Sequence, residues 1–135
     1  MEAPLAGVKV LDYTQIMAGP FCGMLLADMG ADVIKVEKPG GDDSRRMAPP
    51  FIEGESAAFL AINRNKRGIV LDLKVEGARK ALHRMVAESD VLVQNFRRGT
   101  LEKFGLGYEG ARELNPALIY CHITGFGATG PYRDR

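Results

Sequence analysis

Residues 8–37 read VKVLDYTQIMAGPFCGMLLADMGADVIKVE, a strand, a turn, a helix and a second strand with almost nothing between them. Val8, Val10 and Leu11 form an apolar run, and Asp12, Tyr13, Thr14 and Gln15 follow as a polar exit from a sheet. Gly19 suits an N-cap and Pro20 the first helical position, where a missing N–H costs nothing. Between Phe21 and Met29 the only charge is Asp28, so the helix is expected to be buried around most of its circumference. Gly30 supplies a C-terminal stop. Val33, Ile34 and Val36 then make a second strand that closes at Glu37, Lys38 and Pro39. A β-α-β unit of this kind binds ligands beyond the carboxyl ends of its strands, where helix N-termini offer N–H groups to anions. Segments 13–18 and 38–46 are therefore expected to share one functional edge.

The alternation continues downstream. Residues 56–62 suit a short helix and 69–73 a third strand. Val75, Ala78, Leu82, Met85 and Val86 recur at helical spacing, which predicts an amphipathic helix over 75–88. A fourth strand at 91–93, two short helices at 100–104 and 108–114, and a fifth strand at 118–124 complete the pattern. Strands alternating with helices predict an α/β fold built on an open, mostly parallel sheet. The glycine-rich run GFGATG at 125–130 follows the fifth strand, and no completing helix follows it, so the chain is expected to be an incomplete part of a larger domain or a split gene product.

Composition narrows the partners. With 135 residues and 46% hydrophobic content, the chain can form one domain with a substantial core. Eighteen basic against 17 acidic residues argues against nucleic acid or a membrane surface as partner. Cys22 and Cys121 have no metal-ligand spacing and read as reduced core thiols, which suggests a cytoplasmic protein.

Chemistry-bearing patterns are few. GFGATG matches G-x-G-x-x-G, but Pro131 interrupts the helix that should receive a pyrophosphate, and the first β-α turn, QIMAGP, lacks paired glycines. His83 reads as a boundary residue of its helix and His122 as a packed core histidine. Asp12, Asp28 and Asp72 each admit a structural role, and spacing selects none as catalytic. Ten cations, Lys38, Arg45, Arg46, Arg64, Lys66, Arg67, Lys74, Arg97, Arg98 and Lys103, are assigned mostly to loops, several after strand ends. Individually they read as solvated surface; jointly, at one edge of a parallel sheet, they would suit a ligand with several phosphates.

Four ordered blocks carry a resemblance: AGPFCGMLLADMGADVIKVEKPGGDDSR at 18–45, NRNKRGIVLDLK at 63–74, SDVLVQNFRRGTLEKFGLGYE at 89–109 and NPALIYCHITGFGATGPY at 115–132. Together they resemble the N-terminal part of the family III CoA-transferases, a group that includes formyl-CoA transferase, the carnitine and bile-acid CoA-transferases and the α-methylacyl-CoA racemases. The resemblance implies a Rossmann-like sheet with helices on both faces. Residues 1–135 would form the N-terminal CoA-binding part of a large domain, in a homodimer of interlocked protomers. It further implies coenzyme A or acyl-CoA as substrate, with no permanently bound cofactor, and a carboxylic acid as second substrate.

Carried over by position, Ile16, Met17 and Ala18 resemble the turn that lies against CoA near the thioester. Lys38 stands where a basic residue meets the nucleotide end, and Leu71 and Lys74 resemble residues near the adenine and phosphates. Asn95 and Phe96 match the pair that lines the CoA channel, and Lys103 stands where a cation reaches a phosphate. Two departures matter. Formyl-CoA transferase carries glutamine where this chain has Met17, with Gln15 the nearest polar substitute. The family's catalytic aspartate falls beyond Arg135, so no catalytic residue is assigned within these residues and the chain alone is expected to be inactive. Two alternatives stay open: an α-methylacyl-CoA racemase, and a non-catalytic nucleotide-binding module.

Overall fold

The computed structural model describes residues 2–135. Strand β1 (Lys9–Tyr13) leads through helix α1 (Ala18–Asp28) to β2 (Asp32–Glu37), which confirms the opening β-α-β unit. A short 3-10 turn (Asp43–Arg46) and a small hairpin of β3 (Phe51–Ile52) and β4 (Glu55–Ser56) precede α2 (Ala57–Asn63) and β5 (Lys66–Val70). Then come α3 (Glu76–Ala87), β6 (Val91–Gln94), a 3-10 turn (Glu102–Phe104), α4 (Tyr108–Leu114) and β7 (Ile119–His122). The main sheet has the order β5-β2-β1-β6-β7 with every pairing parallel, while β3 and β4 pair antiparallel apart from it. In chain order its strands run third, second, first, fourth, fifth. This is the Rossmann arrangement, whose reversal between β1 and β6 opens a crevice at their carboxyl ends.

Two cores flank the sheet. On one face Leu11, Tyr13, Val36 and Leu92 pack against Leu82 and Val86 of α3 and Ala111 of α4. On the other, Val10, Val33 and Val93 pack beneath Ala27 of α1 and Ala31. Alternate residues of β1, β2, β6 and β7 feed opposite cores because the pleat has a period of two, while the edge strand β5 adds to neither. Helices on both faces make these strands apolar on both sides, as parallel strands generally are.

Several local expectations require correction. Asp12 and Tyr13 do not exit the sheet: they are the last residues of β1, and Asp12 is fully buried. Helix α1 starts at Ala18, with Met17 at its N-cap and no side-chain cap, so Gly19 and Pro20 are already helical. Gly19 serves close approach, since a Cβ there would clash with the Thr14 side chain. Gly23, one turn later, lies so near the Asp12 carboxylate that a Cβ would sit 2.5 Å from Oδ2. Nor is α1 enclosed. Phe21, Leu25 and Met29, on one stripe, are 49%, 44% and 41% exposed. The third strand lies at 66–70 rather than 69–73, because buried Leu73 and half-buried Leu71 fill the core from the crossover that follows it.

Gly23→Ala is expected to destabilise the chain by about 1 to 3 kcal/mol, since the methyl group must displace α1 from the sheet. Gly77→Ala in α3, where no atom lies within 4 Å of the added Cβ, is expected to be neutral or stabilising by up to about 1 kcal/mol. Urea unfolding of both variants measures the contrast.

Candidate functional site

The crevice predicted by the strand order is built by β1 and β6. Beyond the Tyr13 and Gln94 pair the two strands part, and the Asn95 side chain spans the gap: Gln15 N–H donates to Asn95 Oδ1 at 2.9 Å, and Asn95 Nδ2 donates to the Gln15 carbonyl at 2.8 Å. A side-chain amide thus continues the ladder after the backbones diverge. Phe96 stands edge-on to Tyr13 at 4.8 Å between ring centroids, and its N–H donates to Gln94 Oε1 at 2.9 Å. Ala18, Asn95, Phe96 and His122 line a cavity of about 590 Å³, which Arg97 and Arg98 also border. Gly125 and Gly127 form part of its wall.

The turn from Thr14 to Ala18 is clamped by buried charges. Asp12 Oδ1 accepts from the Thr14 N–H at 3.2 Å and from the Thr14 hydroxyl, while Asp12 Oδ2 accepts from Lys66 Nζ at 2.7 Å. Lys66 also donates to the Pro20 carbonyl at 2.7 Å, tying the base of α1 to the sheet. Lys35 Nζ lies 2.8 Å from Asp42 Oδ2 and donates to the Thr14 carbonyl at 3.0 Å. Asp42 in turn accepts the Ile16 N–H at 3.0 Å. Ile16 has φ +71°, the left-handed region that a β-branched side chain avoids, at a cost of about 1 to 3 kcal/mol. Strain at this position persists only because the surroundings over-determine it.

The electrostatics follow from those contacts. Burial alone would raise the Asp42 carboxyl, but hydrogen bonds from Lys35 and from the Ser44 and Ile16 N–H groups outweigh it and leave the pKa at about 2 against an ordinary 3.8. The Arg45 guanidinium, 2.7 Å away, holds Glu37 below its usual range, with burial opposing and the Asp42 N–H assisting. Burial lowers Lys66, and the charge of Asp12 counters it. Burial also pushes the Tyr120 hydroxyl up to about 12, so it stays protonated and donates to the Leu106 carbonyl at 3.0 Å. Burial, with Cys121 beside it, raises the Cys22 thiol, as befits a packing residue rather than a nucleophile. Among the described residues no group of three or more His, Cys, Asp or Glu side chains could hold a metal ion, and no helix is long and apolar enough to cross a membrane.

All nine residues expected at the site follow the carboxyl end of a parallel strand: Ile16, Met17 and Ala18 after β1, Lys38 after β2, Leu71 and Lys74 after β5, and Asn95, Phe96 and Lys103 after β6. The cavity itself brings together Ala18, Asn95 and Phe96; Lys38, Leu71, Lys74 and Lys103 lie outside its wall. Ile16 and Met17 are exposed beside it, and Lys38 pairs with Asp43 at 3.1 Å on the surface. The ten-cation edge needs correction. Lys66 and Arg67 belong to β5, and Lys66 is buried on Asp12. Arg67 pairs with Asp32 at the amino end of β2, and Arg64 with Asp28 at the end of α1, so both sit at the opposite edge. Arg45 is held by Glu37 and stacks on Phe59 at 3.7 Å. His83 contacts the Phe104 carbonyl at 2.8 Å, consistent with a boundary residue. His122 is half-buried at the cavity wall, 3.0 Å from the Phe96 carbonyl, rather than deep in the core.

Lys35 and Asp42 escaped the sequence reading. A signal existed: a lysine between Ile34 and Val36 in a strand buried on both faces requires a buried partner. His122 meets Asn95, Phe96, Arg97 and Arg98 only in the folded cavity, and no motif in the sequence links it to them.

Known proteins resemble this chain in sequence and fold. A family model described as CoA-transferase family III matches residues 5–135. The chain is 55% identical over 140 aligned positions to succinate–glutarate CoA-transferase of Agrobacterium fabrum, covering 98% of this chain and 35% of that protein. It is 50% identical over 133 positions to succinyl-CoA:glutarate CoA-transferase of Homo sapiens, covering 98% of this chain and 30% of the relative. The crystal structure of a CAIB/BAIF family protein from Brucella suis superposes with a TM-score of 0.96 at 52% identity, covering all of this chain and 37% of that one. The chain therefore spans about a third of the length of these relatives.

Because the folded pKa of Asp42 is depressed, its contribution to stability is complete above about pH 4 and is lost as pH falls through about 2. Roughly 2 kcal/mol of unfolding free energy is expected to disappear across that window, with Glu37 adding in the same direction. Urea unfolding at stepped pH measures it. The double variant Lys35→Met with Asp42→Asn is expected to lose the Asp42 component.

Proposed function

The chain belongs to CoA-transferase family III, and from that membership we propose that residues 1–135 are the CoA-binding segment of an enzyme that moves CoA between an acyl-CoA thioester and a carboxylic acid. What supports this reading is the convergence of Ala18, Asn95 and Phe96 on the cavity beyond the carboxyl ends of β1 and β6, the edge where a Rossmann-type sheet takes its ligand. Ile16 to Ala18, Asn95 and Phe96 would flank the pantetheine arm, and Lys38, Lys74 and Lys103 would meet the phosphates and adenine. Coenzyme A enters and leaves as substrate, so the segment needs no resident cofactor.

The chemistry proposed for the whole enzyme uses a carboxylate supplied from outside these residues. That carboxylate attacks the thioester carbonyl and releases CoA thiolate, leaving a mixed anhydride. The thiolate then attacks the enzyme's acyl carbon, giving an enzyme-bound CoA thioester and freeing the first acid. An incoming acid repeats the two steps in reverse and leaves as the new acyl-CoA. Relatives named for succinate, glutarate, malate and mesaconate suggest short dicarboxylic acids as the substrate class. Homodimerisation and a cytoplasmic location belong to the same proposal.

Titration of CoA into the chain, with dephospho-CoA as comparison, tests the reading. Saturable heat from CoA and weaker heat from dephospho-CoA are expected, and equal, negligible heats overturn it. Lys38→Ala and Lys74→Ala are each expected to weaken CoA binding by about 1 to 3 kcal/mol; unchanged affinity in both would show that these lysines are only surface.

A further inference from the structure

We infer that Lys35 and Asp42 form a buried positioning pair that holds the Ile16 turn in its left-handed conformation and so presents Ile16, Met17 and Ala18 to the ligand. The inference rests on the reading above, in which that turn lies against CoA. Its basis is a chain of contacts that converge on one backbone segment. Asp42 comes from the loop after β2, 26 positions from Ile16, and its carboxylate accepts the Ile16 N–H through both oxygens, at 3.0 and 3.3 Å. Lys35, on β2 itself, links that carboxylate at 2.8 Å to the Thr14 carbonyl at 3.0 Å. One ammonium group thus ties the Thr14 carbonyl and, through Asp42, the Ile16 N–H of the same turn.

The remaining valences of the pair are also directed. Asp42 accepts from the Ser44 N–H at 2.9 Å and the Ser44 hydroxyl at 2.8 Å, and its own N–H donates to Glu37 at 2.8 Å. The carboxylate therefore has little freedom to leave Ile16. Both charged side chains are almost wholly buried, at 2% and 1% exposure, while Ile16 and Met17 directly above them are 39% and 52% exposed. A buried ion pair is a poor source of net stability compared with apolar residues of similar volume, and its best-attested use is to specify one geometry. Here the geometry specified is a strained turn with apolar side chains facing outward. Without the clamp, Ile16 is free to return to a negative φ, and the start of α1 shifts with it.

The test measures two properties of the intact chain: hydrogen exchange of the Ile16 amide by NMR, and CoA affinity by calorimetry. Asp42→Asn is expected to speed Ile16 exchange and weaken CoA binding by about 10-fold or more, the loss of a charge-assisted hydrogen bond. Asp32→Asn, at the opposite edge, should change neither. Where Asp42→Asn leaves Lys35 unpaired and the fold fails, Lys35→Met with Asp42→Asn removes both charges and carries the same expectation. Measured against Ile16→Gly alone, so that any contact of the Ile16 side chain with CoA cancels, Asp42→Asn in the Ile16→Gly background is expected to cost at least about 3-fold less affinity than it does in the wild type, because glycine adopts positive φ without a clamp. A purely structural pair predicts no such difference. Ile16 protection and CoA affinity that survive Asp42→Asn, or a cost of Asp42→Asn that Ile16→Gly does not reduce, would overturn the inference. A wild-type chain with a protected, Asp42-dependent Ile16 amide but no CoA binding would overturn the CoA reading and leave the clamp standing.

Discussion

Two buried lysine–aspartate pairs, Lys66 with Asp12 at 2.7 Å and Lys35 with Asp42 at 2.8 Å, lie between the sheet and the elements that cover its rim, and the geometry of that rim depends on them. No buried side-chain nitrogen or oxygen among the described residues lacks a hydrogen-bond partner. That completeness matters because removing one member of a buried pair leaves an uncompensated charge and costs about 3 to 5 kcal/mol. The pairs also explain the small residues of α1. Helix and sheet approach closely only because Gly19 and Gly23 offer no Cβ to Thr14 and Asp12. A polar layer of this kind replaces apolar interdigitation at the amino end of α1, while Ala27 and Ala31 restore it further along.

The fold was largely legible because its signals are local. An apolar run, a helix opened near Pro20 and closed at Gly30, and a second apolar run dictate a β-α-β unit, and the amphipathic spacing of Leu82 and Val86 dictates α3. The errors share a physical cause. β5 opens with Lys66 and Arg67, residues that read as solvent-facing, yet Lys66 is buried through an aspartate 54 positions away. Leu71 and Leu73 read as strand because they are apolar, and are buried from a crossover instead. The exposed stripe of Phe21, Leu25 and Met29 has no local sign at all, since composition cannot distinguish an apolar residue with a neighbour from one without.

The site was legible by a different route. Topology alone places the strand exits together, and of the nine candidate residues Ala18, Asn95 and Phe96 line the cavity there. What topology cannot supply is the pairing of charges drawn from separate loops. Arg64 and Arg67 stand among cations in sequence but sit on carboxylates at the far edge. Conversely, Asp42 in a loop and Lys35 in a strand carry no motif, and only their meeting under Ile16 gives them a role.

The cations that remain at the rim differ in how available they are, and burial decides it. Arg45 is held by Glu37, itself almost fully buried, and packs on Phe59, so releasing it would strand a buried carboxylate. Lys38 and Asp43 meet at the surface, where an exposed pair contributes about 1 kcal/mol or less. A phosphate can therefore replace Asp43 as the partner of Lys38 at little cost, whereas it cannot recruit Arg45 without loosening the loop that carries Asp42. The rim is thus divided into charges that build the turn and charges held only by exposed partners, and the buried carboxylates of Glu37 and Asp42 draw the line between them.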